Sequence, residues 1–459
     1  MSRPAAARMA FLSGVLSASL ALSSCAGKAA SPYLPAPTEL PSTTRQMKTP
    51  GFWISRHPFP ERVIMNDEEI SHFNRHVRED LRLTRDVSLF PDTVTAAEVV
   101  QDVERTLEEF RARGLYRRDG VRAGTKFFEE LRGRMVGRLP PQIPVRFGFV
   151  SRFADHRLLP TPEGLYEKSD DIDFDELQNS GLDVGTPVAI LLESADGRWF
   201  YVETSLTSGW VEKSLVALCS RDQLRRYSKA EEFVVVIHAK ADIFLNPQMA
   251  DYYEYTRMGR RYPVKKISDD KVEIEVPWRR EDGSVEFRSG YIPASDVHQG
   301  FLTYTSRNIL VQAFELLNEP YGWGGMYGEQ DCSRFLQMVF ATVGVTLPRN
   351  SKDQARTGSL AAKFDETAAD AEKLAVLSRD AAGGITLLPM KGHIMLYLGM
   401  VDGRPYAIHS VWAYRESKGA GDIVRVINRV AVTDLFLGEG SKKGSLLRRL
   451  NAVTVVDTK

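Results

Sequence analysis

The sequence predicts a multidomain α+β protein: a mainly helical N-terminal module, two small β-barrels, and a C-terminal domain with a helical half and a strand-rich half. Three observations predict it. The chain has 459 residues, too many for one compact core, so roughly three or four domains are expected. The apolar pattern changes from helical spacing to short strands near Leu139 and returns to helical spacing after Tyr304. Between those points the same style of short strands runs through twice.

The N-terminus precedes any folded body. Arg3 and Arg8 make a positive start, and the apolar stretch from Met9 to Leu22 is too short for a comfortable membrane span. It has the character of a signal-peptide core. Leu22-Ser23-Ser24-Cys25 then resembles the bacterial lipoprotein cleavage box, which implies a lipid on Cys25 as the new first residue. The alternative is an ordinary secretory signal cut nearby, with Cys25 incidental. The expected signal peptide is therefore 1–25. Residues 26–50, rich in Pro, Ser, Thr and Ala and lacking apolar periodicity, are expected to form a flexible tether.

Residues 51–138 form the expected helical module. Thr95-Ala96-Ala97-Glu98 has capping-box spacing, and Val99, Val103, Leu107 and Phe110 follow at helical intervals. Nothing in this stretch carries recognisable chemistry, and scaffolding is its expected role.

Short strands are expected at Pro144 to Val150, Pro187 to Leu192, Trp199 to Glu203 and Gly209 to Val211, with Asp196-Gly197 as a hairpin turn. The second set is Phe233 to His238, Pro263 to Ile267, Val272 to Val276 and Ser289 to Ile292, with Asp282-Gly283 as a turn. The barrels span 139–228 and 229–303. Both resemble bacterial SH3-like domains, the first more closely. Trp199 and Trp210 either line a ligand groove or pack in a core. Cys219 is expected to be a small buried apolar residue.

Charge and cysteine content narrow the function classes. Lysine plus arginine equal aspartate plus glutamate at 60 each. Without a basic excess to neutralise phosphates, nucleic acid is not an expected partner. Three cysteines are too few for a disulfide framework, so each needs its own explanation.

The third lies where chemistry is expected. In residues 304–459, Ile309 to Leu317 is helical in pattern and Pro320-Tyr321-Gly322-Trp323-Gly324-Gly325 forms a loop. After Asp331-Cys332-Ser333-Arg334, the stripe Phe335, Val339 and Val343 predicts a helix that Gly344 stops. Cys332 then sits at a helix N-terminus, where unpaired backbone N–H groups favour the thiolate that acts as a nucleophile. His393 opens a strand through Leu398, Asp402-Gly403 turns the chain, and Tyr406 to Ser410 returns with His409. A strict two-residue turn would put His409 opposite Leu396, about 10 Å along the ladder from His393 and on the other face. A bulge or irregular turn is needed to bring the two rings together. By itself the pattern leaves two readings: a catalytic pair, or a buried thiol with two structural histidines.

Taken together, Tyr321-Gly322-Trp323-Gly324-Gly325, Asp331-Cys332-Ser333, Gly392-His393-Ile394 and Ile408-His409 resemble the NlpC-type cell-wall cysteine peptidases. With two preceding SH3-like domains, the arrangement resembles the γ-D-glutamyl-L-diamino acid endopeptidases that act on peptidoglycan stem peptides. The resemblance implies a papain-like fold for 304–459, with no cofactor and no metal. It implies Cys332 as nucleophile, His393 as general base and then acid, and His409 as the group that orients His393. It assigns Tyr321 to the oxyanion, and Asp331 and Ser333 to the free amine of an N-terminal L-alanine. Trp323 belongs to the same substrate-binding motif. Arg334 departs from the family, which usually has glycine there. The expected protein is a monomeric, lipid-anchored envelope enzyme, on the periplasmic side in a Gram-negative cell. The alternatives are a catalytically impaired wall-binding lipoprotein and a related cell-wall amidase.

Overall fold

In the computed structural model, residues 33–419 and 421–458 are described. The expected signal peptide, Cys25 and the first part of the expected tether lie outside them. Three seven-stranded sheets organise the chain. The first runs in the order Val216–Cys219, Arg146–Val150, Pro187–Glu193, Trp199–Glu203, Ser208–Glu212, Ala154–Arg157, Gln178–Leu182. Its ladders are antiparallel, and Asp196-Gly197 closes a hairpin with Gly197 at φ +70°. The second sheet spans Phe233–Val236 to Val297–Gln299 and contains the long pair Lys271–Arg279 and Val285–Pro293, turned at Asp282-Gly283.

Trp199 and Trp210 are core residues of the first barrel, 3% and 0% exposed, so the groove reading of these two rings does not hold. Cys219 is half-buried, and burial pushes its thiol up to about 12.

The C-terminal domain has the expected helix-then-sheet order. Helices Ser306–Glu315 and Cys332–Ala341 pack against a sheet ordered Tyr33–Pro35, Gly421–Asp434, Arg404–Lys418, His393–Val401, Thr386–Met390, Ala452–Val455, Ser359–Lys363. Its first strand comes from the N-terminal segment. Tyr33 to Pro35 pairs in parallel with Val424 to Val426 and closes an open sheet edge. Leu40 and Met47 are buried beyond it, and Trp53 Nε1 donates to the Met47 carbonyl at 2.9 Å. The expectation of a flexible tether thus fails over residues 33–50. That segment is held by backbone pairing and isolated apolar anchors, which leave no periodic signature.

The helical region 51–138 also departs from expectation, because it shares no single core. Trp53, Met65, Ile70, Phe73 and Val77 join the core of the C-terminal domain. Val99, Val103, Leu107, Phe110, Phe128 and Met135 instead pack with Trp199 and Trp210 of the first barrel. Helix Asp67–Glu79 begins with a capping box from Asn66, and helix Ala96–Ala112 is capped by Thr95. The helices are splints between domains rather than a domain. Among the described residues, no helix is long and apolar enough to cross a membrane.

Candidate active site

Cys332 is the first residue of helix Cys332–Ala341, and the Asp331 side chain caps that helix by accepting from the Arg334 N–H at 2.9 Å. The Cys332 side chain is almost fully buried, and the Ile394 N–H is directed at its sulfur. Burial first, and then the Asp331 carboxylate, push the thiol up to about 12, against the helix-start N–H groups that lower it. Burial therefore outweighs the helix terminus and favours the neutral thiol.

The partner is next to Ile394. His393 Nε2 lies 2.6 Å from His409 Nδ1, and His409 Nε2 lies 2.9 Å from Thr433 Oγ1. Burial, with Arg449 adding to it, lowers the His393 pKa to about 3, and burial takes His409 well below its ordinary value. Both rings are neutral at rest. Their contact depends on one extra residue. The ladder runs Val401–Arg404, Met400–Pro405 and Gly399–Tyr406, then slips to Tyr397–Ala407 and Leu396–Ile408. Leu398 is the bulged residue, beside Gly399 at φ +143°. Continued past Leu396, the slipped register puts His409 opposite Met395. That is two residues from His393 and on its face.

Asp331 is paired within the chain. Arg349 Nη2 lies 2.7 Å from Asp331 Oδ2, and Arg349 Nη1 lies 3.3 Å from Oδ1. The Gly324 N–H, the Ser333 hydroxyl and the Arg334 N–H donate to the same carboxylate. Burial works against the charge, but the Arg349 guanidinium holds the carboxyl below its usual range. Ser333 also accepts from Arg349 Nη1 at 2.8 Å. An internal cation thus already faces the two residues expected to hold a substrate amine, Asp331 and Ser333. A buried carboxylate beside a nucleophile does signal that a cation is needed. Nothing in the sequence shows that Arg349, 18 residues on, supplies it. Thr433 was likewise missed, since a lone threonine in a strand carries no signal.

Tyr321 stands beside Cys332 and Asp331, and burial takes its phenol well above the ordinary value. Trp323 meets Phe174 of the first barrel edge-on, with ring centroids 5.3 Å apart. The intervening glycines let the barrel come this close. Gly324 and Gly325 have φ of +61° and +88°, and a Cβ on them would lie 2.3 Å from the Gln178 carbonyl oxygen and 2.5 Å from the Gly181 nitrogen. Arg334 points the same way. It donates to the Gly181 carbonyl and pairs with Asp183 at 3.0 Å, while Arg257 holds the other Asp183 oxygen. The departure from glycine therefore does not disturb packing behind Cys332. It joins the nucleophile helix to the first barrel.

A cysteine at a helix start, a histidine held by a second histidine, and a helix-then-sheet domain define the papain-like class of cysteine-peptidase fold. Comparison with known proteins places it further. Residues 318–416 match the NlpC/P60 family, and residues 165–212 match the SH3 domain of SH3b1 type; the chain carries both domains. It is 26% identical over 193 residues to a γ-D-glutamyl-L-lysine dipeptidyl-peptidase of Bacillus cereus, covering 40% of this chain and 51% of that one. It is 34% identical over 130 residues to the bifunctional muramidase/DL-endopeptidase CwlT of Bacillus subtilis, covering 26% and 39%. The chain thus spans about half or less of the length of these curated relatives. In fold it is similar to a solved NlpC/P60 endopeptidase from Photobacterium damselae subsp. piscicida, with a TM-score of 0.69 at 18% identity, over 88% of this chain and 93% of that one.

Proposed function

We propose that the protein is a cell-wall cysteine endopeptidase that hydrolyses the γ-D-glutamyl-L-diamino acid bond of peptidoglycan stem peptides. The observation that carries this reading is the relay Thr433–His409–His393 beside Cys332. His393 uses Nε2 for His409, which leaves Nδ1 for the thiol. For Nδ1 to accept a proton, Nε2 must carry hydrogen and donate to His409 Nδ1. His409 then carries its hydrogen on Nε2 and donates to Thr433. One tautomer set satisfies every contact.

In the proposed reaction, Cys332 loses its proton to His393 as its sulfur attacks the γ-carbonyl of D-glutamate. Tyr321 and backbone N–H groups at the helix start stabilise the oxyanion. His393 returns the proton to the leaving amine, and water then hydrolyses the thioester. The names of the two relatives support the choice of bond. A preference for a free N-terminal L-alanine draws support from the first barrel meeting the cleft loop at Trp323 and Phe174, with Asp331 and Ser333 as the proposed amine-binding pair.

Mass spectrometry of products from free and N-acetylated L-Ala-γ-D-Glu-diamino acid peptides tests this. Cleavage between D-glutamate and the diamino acid, absent in Cys332→Ala, is expected, and cleavage at another bond would overturn the assignment. Equal rates on the two peptides would remove the free-amine preference. The proposed location is the bacterial envelope, with a lipid on Cys25 as anchor; unchanged membrane association of Cys25→Ser would sink the anchor.

A further inference from the structure

Four aromatic rings run in series from the N-terminal strand to the cleft. Tyr33 meets Trp412 with ring centroids 5.1 Å apart, Trp412 meets Phe174 at 4.9 Å, and Phe174 meets Trp323 at 5.3 Å, each pair edge-on. The rings come from four separate segments. Tyr33 belongs to the strand Tyr33–Pro35, Trp412 to the sheet of the C-terminal domain, Phe174 to a loop of the first barrel and Trp323 to the loop before the nucleophile. Pairing of Tyr33 to Pro35 with Val424 to Val426 fixes where the first ring stands. Trp412 sits where the ladder loses register between Val411 and Ala413, with Asn428 at φ +50° on the facing strand. Such a break re-aims a side chain, here toward the barrel.

Phe174 lies in a stretch, 167–177, that belongs to no strand and no helix. The base of this loop is fixed inside the barrel. Asp175 accepts from the Leu165 and Leu177 N–H groups at 3.0 Å and pairs with Arg157 at 2.6 Å. The tip is fixed from outside. Tyr33 donates its hydroxyl to Asp171 at 3.2 Å, and the Trp412 indole faces the Asp173 carboxylate. The pairing of Lys168 with Asp171, at 3.8 Å, is looser. A cavity of about 240 Å³ beside the tip, lined in part by Tyr33, Lys168, Asp171 and Trp412, leaves the loop room to move. Tyr33 serves both outside holds at once: its hydroxyl takes the loop, and its ring braces Trp412.

Resting on the peptidase reading above, we propose that Tyr33 is a positioning residue for the cleft: it orders the barrel loop 167–177 so that Phe174 backs Trp323. The strand Tyr33–Pro35 is then part of the substrate-binding wall as well as a cover for a sheet edge. Its effect on substrate passes through Trp412 and Phe174, away from the thiol and the imidazole that do the chemistry. A wall ordered in advance spares the substrate the cost of ordering it. That places the contribution of Tyr33 in KM and leaves kcat alone.

Amide hydrogen exchange and kinetics, both in the full chain, test this together. The substrate is L-Ala-γ-D-Glu-L-Lys or its diaminopimelate counterpart, whichever the wild type cleaves. Tyr33→Ala is expected to speed exchange in 167–177 about tenfold and to raise KM about tenfold, the scale of one ring contact and one hydrogen bond, with kcat within about twofold. Tyr33→Phe keeps the brace on Trp412 and loses only the hydroxyl, so it should restore most of both. Leu34→Ala, at the neighbouring exposed position, should leave both as in the wild type. Unchanged loop exchange or unchanged KM in Tyr33→Ala, a loss confined to kcat, no rescue by Tyr33→Phe, or an equal effect from Leu34→Ala overturns the proposal. Faster exchange spread over the whole sheet overturns it too, because Tyr33 would then be a cover for the edge and nothing more. Turnover of neither peptide by the wild type rejects the peptidase reading. Loop exchange in the two Tyr33 variants then decides the ordering role by itself.

Discussion

Arg349 grips Asp331 with both guanidinium nitrogens, 2.7 and 3.3 Å from its two oxygens, in a site where both side chains are buried. The nucleophile's neighbour is thus neutralised from within the chain. Arg349→Gln leaves a buried carboxylate unpaired, and such losses cost about 3–5 kcal/mol. A fall in Tm and an abrupt loss of turnover are expected. Asp331→Asn combined with Arg349→Gln should recover much of the Tm. A double variant as unstable as Arg349→Gln alone would show that the ion pair is not what holds the site.

The relay predicts a graded series. His393→Ala removes the base, and such losses are roughly 10²–10⁴-fold in kcat. His409→Ala should cost less, and Thr433→Val less again, because each acts only through the ring before it. The acid limb of kcat/KM gives an independent reading. Burial lowers the His393 pKa from 6.5 to about 3. The base is neutral above that value, so activity should persist well below pH 6.5. An acid limb near 6.5 in the wild type would contradict the lowered His393 pKa.

How far the sequence revealed this site depends on distance along the chain. Cys332, His393 and the strand that returns with His409 were legible because a helix stripe and a turn dipeptide announce them locally. The one-residue bulge at Leu398 was legible only as a requirement: two histidines in strict register face apart, so either they never meet or the ladder slips. Arg349, Thr433 and the contact of Arg334 with Gly181 were not legible. Each depends on a fold that joins segments with no shared local pattern. The packing of residues 33–50 was hidden for the opposite reason. A strand of three residues and a few buried side chains hold it, too few to give a period.

Arg334 makes a separable prediction. Its guanidinium is fully buried between the nucleophile helix and Asp183, and burial lowers its pKa to about 10. Arg334→Gly restores the residue usual in the resembled family but leaves Asp183 to Arg257 alone. The first barrel should then loosen from the peptidase domain, seen as faster proteolysis between them and a Tm lower by several degrees. Unchanged proteolysis would show that the Trp323–Phe174 contact and the glycine loop suffice.

His156 lies beneath the same junction, opposite Ser180 in the first barrel, and predicts how stability responds to acid. It is fully buried, with the Gly209 backbone as its polar neighbour. Burial lowers its pKa from 6.5 to about 4 against the Gly209 backbone, which raises it, and Arg349 adds to the lowering. The sign follows from proton counts. Between those two values the unfolded chain binds a proton at this histidine and the native chain does not, so stability falls as pH falls. Above 6.5 the neutral-ring contribution is fully present. By about pH 4 this one group has removed on the order of 3 kcal/mol. His393 and His409, whose pKa values burial also lowers, push in the same direction. His156→Leu keeps an apolar filling but cannot take up a proton in either state. Its Tm should therefore fall less than the wild type's between pH 7 and pH 4.5, whatever the offset at pH 7. Parallel Tm curves for the two proteins across that range would mean that His156 is protonated, or reached by water, in the native state.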